Sequence, residues 1–253
     1  MHKGVKKGNI TIVLNRPKHS TNIGFVVRSA RNTGIDRLTI IKRQGGYDEG
    51  EVSRTATHFG SSLIDKIEYF DDLESALANF QYIVGTTARC GNTNLKREIT
   101  VPRDMAEKLV SISHKNKVAL LFGPEDRGLT NEELAYCDLL VTIPVSSEMR
   151  SINLSHAVMV LCYEIFIASN TSMGAFNPKL ATFQEKEDML THLKETCTKI
   201  NFINPENPEY WMIAIRRFFS RTHLYTKDVK IIRGICRQID LYGQGKVRDK
   251  TLF

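Results

Sequence analysis

The sequence predicts an α/β fold, a mainly parallel sheet covered by helices, followed by a small all-helical domain. Three observations carry this. Up to about residue 168, short β-branched runs alternate with longer amphipathic stretches, the pattern of strand–helix–strand units. Residues 169–181 are polar, contain Gly and Pro and lack periodicity, so they read as a linker. From residue 182 to 253 the apolar spacing is wholly helical. The expected organisation is therefore a domain at 1–168, a linker at 169–181 and a helical extension at 182–253.

Residues 10–14 and 118–122 are unbroken apolar or β-branched runs, as expected of strands buried on both faces. Similar runs at 38–41, 66–70, 82–85 and 139–143 complete the predicted sheet. Helical spacing appears at 22–32, 73–79, 103–111, 131–136 and 153–167. Asp71 and Asp72 suit a cap for the second of these, and Thr130 with Glu133 forms a capping-box pattern for the fourth. In the extension, helices are expected at 183–200, 208–219 and 227–241, with a turn at 220–225. About 70 residues is near the lower limit for a domain that folds alone.

Composition excludes several classes. With 42% hydrophobic and 25% charged residues the chain is an ordinary globular protein. Its longest apolar run, 157–168, contains Glu164 and is too short to cross a bilayer. Met1, His2, Lys3 and Gly4 do not begin a signal peptide. Five dispersed cysteines without a Cys-x-x-Cys pair argue against disulfides or zinc and for a cytoplasmic protein. Seven scattered histidines provide no His-x-x-x-His pair, so no metal site is expected.

The net charge of +7 lies at the chain's ends. Residues 211–253 hold ten Lys/Arg against three Asp, and residues 1–31 hold seven Lys/Arg and no acid. Such a distribution suits a polyanionic partner, although basic ends also serve solubility alone.

Four polar segments follow predicted strands. The first runs from Asn22 through Gly24 to Arg28; Asn22 can cap a helix, Gly24 permits close approach, and Arg28 lies on an otherwise apolar face. Arg28 could fork onto a phosphate or make an ordinary ion pair. The second, residues 122–130, combines Gly123, Gly128 and Pro124 with Glu125, Asp126 and Arg127. It stands where α/β proteins bind ligands, yet it is neither a Walker loop nor a dinucleotide fingerprint. The third, residues 143–154, offers backbone groups at Ile143 and Ile152 for an adenine-like edge, and Ser151 and Asn153 for a hydroxyl. Asn153 could equally be a plain N-cap. The fourth is Gly85-Thr86-Thr87-Ala88-Arg89. If the sheet is parallel, all four converge on one crevice.

Three of these segments resemble the motifs of the SpoU-type ribose methyltransferases of the SPOUT superfamily. They are Asn22-x-Gly24-x-x-x-Arg28, Phe122-Gly-x-Glu125-x-x-Gly128-Leu129-Thr-Asn-Glu-Glu-Leu134 and Ser151-x-Asn153-Leu154-Ser-x-Ala157-Val158. Residues 85–89, with Ile215-Arg216-Arg217-Phe218-Phe219-Ser220-Arg221 and Ile231-Ile232-Arg233-Gly234-Ile235, resemble the TrmJ family of tRNA 2′-O-methyltransferases. Pro124 and Pro144 depart from some relatives, which bears on loop shape, and the lysine-bearing residues 1–8 are unmatched.

The resemblance implies a deep trefoil knot near the sheet's C-terminal edge, a feature too rare to predict otherwise. It implies a homodimer with interfacial active sites, and methyl transfer from S-adenosylmethionine to the ribose of tRNA position 32. Thr86, Thr87, Ala88, Gly123, Ile143, Arg150, Ser151 and Ile152 would line the cofactor pocket. Arg28, Ser151 and Asn153 would serve the reaction, with Arg28 coming from the other subunit. Asn22, Arg28, Arg89, Glu125, Arg216, Arg217, Arg221 and Arg233 would meet RNA. A ribosomal RNA methyltransferase, or an RNA-binding protein without turnover, would carry the same motifs.

Overall fold

The computed structural model describes residues 4–88, 99–146, 148–149, 151–171 and 179–244. The chain forms two units, Met1–Pro178 and Lys179–Phe253.

In the first unit, β1 (Ile10–Asn15), β2 (Leu38–Ile41), β3 (Glu68–Phe70), β4 (Tyr82–Thr86), β5 (Ile99–Thr100), β6 (Val118–Phe122) and β7 (Leu139–Val141) build one sheet. Its order is β3-β2-β1-β6-β4-β7-β5, and every pairing is parallel. The apolar runs predicted as two-faced strands are buried throughout β1 and β6. β3, at the sheet's edge, is largely exposed. The sequence reading missed β5 because two residues give no periodicity to read.

The helices are α1 (Ser20–Thr33), α2 (Glu49–Ala56), α3 (Ser61–Ile64), α4 (Leu73–Leu77), α5 (Pro102–Ile112), α6 (Asn131–Ala135) and α7 (Leu154–Thr171). α7 packs against both α1 and α5. It runs to Thr171, into the stretch read as linker. Of the two candidate caps for α4, Asp72 acts: its carboxylate accepts from the Ser75 N–H at 2.7 Å. The Thr130–Glu133 capping box forms as expected. α2 escaped the sequence reading because only Val52 and Ala56 mark its buried face. It matters nonetheless, since α1 lies on it at Gly24. A Cβ there would come within 1.9 Å of Thr55 Oγ1 and 2.5 Å of the Val52 carbonyl oxygen.

The second unit holds α8 (Phe183–Lys199), α9 (Pro208–Phe219) and α10 (Thr226–Gly243), close to the predicted spans. Ala181, Met189, Leu190, Ile203, Met212 and Val229 form its small core. Thr182 and Glu185 make a capping box at the start of α8. Asp240 on α10 accepts from Lys199 Nζ at 3.0 Å and lies 3.1 Å from His192 Nε2, clamping α10 to α8. Among the described residues no helix is long and apolar enough to cross a membrane.

Candidate active site

The parallel register sets the site. Thr86 at the end of β4 stands opposite Val141 of β7, and Leu14 of β1 stands opposite Phe122 of β6. Gly85 pairs with Leu121 and Leu140, so the carboxyl ends of three neighbouring strands are level. Their loops therefore emerge together, as the convergence argument required.

Two close backbone approaches shape these loops. A Cβ on Gly123 would lie 2.3 Å from the Gly128 carbonyl carbon and 2.4 Å from Leu129 N, so the loop after β6 folds back onto its own start. Gly128 makes that reversal with φ of 66°, a region glycine enters without steric cost. Thr87 N–H donates to the Val141 carbonyl at 2.9 Å, and Thr86 Oγ1 donates to the Leu121 carbonyl at 3.2 Å.

Between the loops lies a cavity of about 630 Å³, within the range usual for small-molecule sites. Thr86, Thr87, Ala88, Gly123, Ile143, Ser151 and Ile152 all line it. Leu129, Val141, Leu154 and Ala157 add apolar wall. Apolar walls with hydroxyls suit a flat heterocycle attached to a polar chain. Arg150 and Arg89 lie outside the described residues.

A second pocket, about 450 Å³, lies between α1 and the start of α7. Arg28 lines it with Asn22, Phe25, Ser29, Asn32, Asn153, Ser155, His156 and Met159. This corrects the expectation that Arg28 shares an apolar face, because Ser29, Asn32 and the loop before α7 make its surroundings polar. Phe25, Asn32 and His156 were missed. The spacing 25, 28, 29, 32 along one helix was the available signal for the first two; nothing local marked His156.

A hydrogen-bonded relay joins the two pockets. Glu125, on the wall of the larger, accepts from Asn22 Nδ2 at 2.8 Å, Lys18 N–H at 2.6 Å and His19 N–H at 3.3 Å. Asn22 Oδ1 in turn accepts from Asn153 Nδ2 at 3.2 Å. Burial alone would push the Glu125 carboxyl up, but these donors outweigh it and hold it below the ordinary carboxylate range. Glu125 thus anchors the loop entering α1, whereas the sequence reading had it meeting RNA. Asn22 is likewise no cap: α1 begins at Ser20, His19 occupies the cap position, and Asn22 is buried inside the first turn.

Asn153 takes the N-cap role that the sequence offered as one of its two readings. Its Oδ1 accepts from Ser155 N–H at 2.9 Å and Ser155 Oγ at 2.7 Å, as an N-cap would. With both lone pairs engaged, that oxygen cannot also receive a substrate proton. Ser151 is exposed and lines the larger cavity.

In the second unit Arg216 forms a two-pronged pair with Glu187, so it is not the open RNA contact expected. Arg221 and Arg233 are exposed. Arg217 is partly buried.

Comparison with known proteins fits this geometry. Residues 9–163 match the SpoU rRNA Methylase family, and residues 184–250 match the tRNA methyltransferase TrmJ C-terminal domain. The tRNA (cytidine/uridine/adenosine-2′-O-)-methyltransferase TrmJ of Pseudomonas aeruginosa is 32% identical over 249 residues, covering 93% of this chain and 95% of its own length. The chain belongs to the TrmJ family of SpoU methylases. A second TrmJ relative, the tRNA (cytidine-2′-O-)-methyltransferase of Methanocaldococcus jannaschii, is 31% identical, over 87% of this chain and 94% of that protein. The TrmJ crystal structure from Z. mobilis superposes with a TM-score of 0.78 at 23% identity, covering 91% of this chain and 98% of that one. That likeness establishes the shared TrmJ fold.

Proposed function

We propose that this protein transfers a methyl group from S-adenosylmethionine to the ribose 2′-hydroxyl of a tRNA nucleotide, a C or U at position 32 of the anticodon loop. The observation that carries this reading is a pair of complementary pockets, one built by the loops after β4, β6 and β7 and one around Arg28, the two halves that a homodimer would bring together. One pocket has the size and lining for the cofactor, and the other presents Arg28. Both TrmJ relatives are named for 2′-O-methylation of tRNA, which favours tRNA over ribosomal RNA.

When bound, the cofactor supplies an electrophilic methyl on a sulfonium. Thr86, Thr87, Ala88, Gly123, Ile143, Arg150, Ser151 and Ile152 would hold it, chiefly through backbone groups. The ribose hydroxyl must lose its proton during attack. Arg28 is an unsuitable base because a guanidinium has no lone pair free to take a proton. Its role is to fork onto the neighbouring phosphate and so orient the hydroxyl. Asn153 has its oxygen engaged, which leaves the exposed Ser151 hydroxyl to accept a hydrogen bond from the ribose hydroxyl and pass its proton on to solvent. The reading includes a homodimer, in which Arg28 of one subunit faces the methyl held by the other. It also includes the deep trefoil knot that the family resemblance implies, and a cytoplasmic setting.

The deciding experiment maps 2′-O-methyl groups in tRNA from cells with and without the gene. Loss of one methyl at the anticodon loop is expected. An unchanged tRNA profile with a lost ribosomal RNA methyl would overturn the tRNA assignment.

A further inference from the structure

The outer face of α9 carries three aromatic rings. Tyr210, Trp211 and Phe218 are 68%, 38% and 65% exposed, while Met212, Ile215 and Phe219 turn into the core. Seven residues make two helical turns, so Tyr210 and Arg217 stand in one row about 10 Å apart. Trp211 and Phe218 form the adjacent row. Ala214 lies between the rows and is exposed.

The rings are braced. Phe202 lies against Trp211 with centroids 5.4 Å apart, and Tyr210 meets Trp211 edge-on at 6.2 Å. Phe218 stands edge-on to the core ring Phe219 at 5.2 Å. Rings already held in place lose little freedom when a ligand stacks on them.

Arg217 supplies the second observation. Its neighbour Arg216 is gripped by Glu187. Arg217 has no side-chain hydrogen bond or ion pair among the described residues, and its Nε is buried without an acceptor. An unmatched cation beside exposed rings calls for an anion joined to a flat ring. The acid on α9, Glu209, stands at the helix start and is held by Lys194, so no carboxylate on this helix follows to repel a phosphate. A protein partner would have to bring both an apolar surface and a carboxylate; one nucleotide brings both needed chemistries.

Building on the tRNA reading above, we infer that this face of α9 is a stacking platform for unpaired bases of the RNA substrate, with Arg217 taking an adjacent phosphate. Stacking tolerates any base, so the platform recognises a single-stranded loop and not a sequence.

The chain contains one tryptophan, so its emission reports on this platform alone. Full-length protein is titrated with an anticodon stem-loop RNA and with a blunt duplex of equal charge. The stem-loop should quench Trp211 and the duplex should not. Tyr210→Ala combined with Phe218→Ala should weaken stem-loop binding about tenfold, leaving duplex binding unchanged. Ala214→Leu, which sets a bulky side chain between the two rows, should act in the same direction, with circular dichroism checking that each variant folds. Stem-loop binding in a mobility shift with unaltered Trp211 emission overturns the platform while the tRNA reading stands. Failure to bind any tRNA overturns the tRNA reading itself. Conversion of a dimer to monomers by Phe218→Ser makes the face a protein interface, and this also overturns the platform.

Discussion

The carboxyl edge of the sheet and the outer face of α10 dispose of their charged side chains in opposite ways. At the carboxyl edge of the sheet, carboxylates are held by several donors each. Glu125 accepts from three groups, and Glu133 accepts from Asn15 Nδ2 at 2.7 Å while lying within 4.0 Å of Arg16 and 3.9 Å of Arg127. On α10, Lys227, Lys230, Arg233 and Arg237 point outward to solvent. The difference teaches where each task belongs. Methyl transfer needs groups fixed before substrate arrives, whereas grip on a polyanion needs cations left open at the surface.

The contrast breaks first at Gly123. Gly123→Val would drive a side chain into the backbone of Gly128 and Leu129, so S-adenosylmethionine binding should fall below detection by calorimetry. Retained binding would show that the turn does not shape the pocket. Next, a chain ended after Pro178 should keep its cofactor affinity yet bind tRNA about 100-fold more weakly, with a smaller salt dependence in mobility shifts. Unchanged tRNA affinity would place the grip in the first unit instead. Arg28→Lys keeps charge and loses the fork; single-turnover assays should show a rate about 100-fold lower with cofactor affinity intact. Near-normal turnover would refute the fork.

The smallest effect is expected at Glu125. Glu125→Gln removes charge-assisted bonds to Lys18, His19 and Asn22, and solvent screening limits the loss to about 1 kcal/mol. Thermal melting should fall by about 2–4 °C. Because the folded carboxyl titrates below its ordinary range, its contribution is complete above the unfolded pKa and is lost as pH falls through the folded one. Wild type and variant should therefore converge in stability in acid. A constant gap would exclude ionisation as the source.

Much of this was legible in the sequence because burial leaves a periodic mark. β1, β6 and α9 fall where their apolar spacing puts them. β5 and α2 did not, since two residues or two apolar positions leave no period. At the site, the segments after β4, β6 and β7 were visible as polar punctuation behind apolar strands. The partners of their side chains were not. Asn22 looked like a cap, because a residue's type states what it can bond and not what stands beside it.

The sequence by itself determined the α/β order, the helical extension and the residues able to bind a cofactor or phosphate. These follow from local spacing and side-chain chemistry. Only the tertiary structure decided that Glu125, Asn22 and Asn153 form one relay between two pockets, and that Arg216 is engaged while Arg217 has no side-chain partner among the described residues. Residues over 100 positions apart become neighbours only when parallel strands bring their loops to one edge, and pairing between helices depends on how they pack. The polar segments after the strands therefore marked the ligand edge, their family resemblance named the chemistry, and the fold chose their partners.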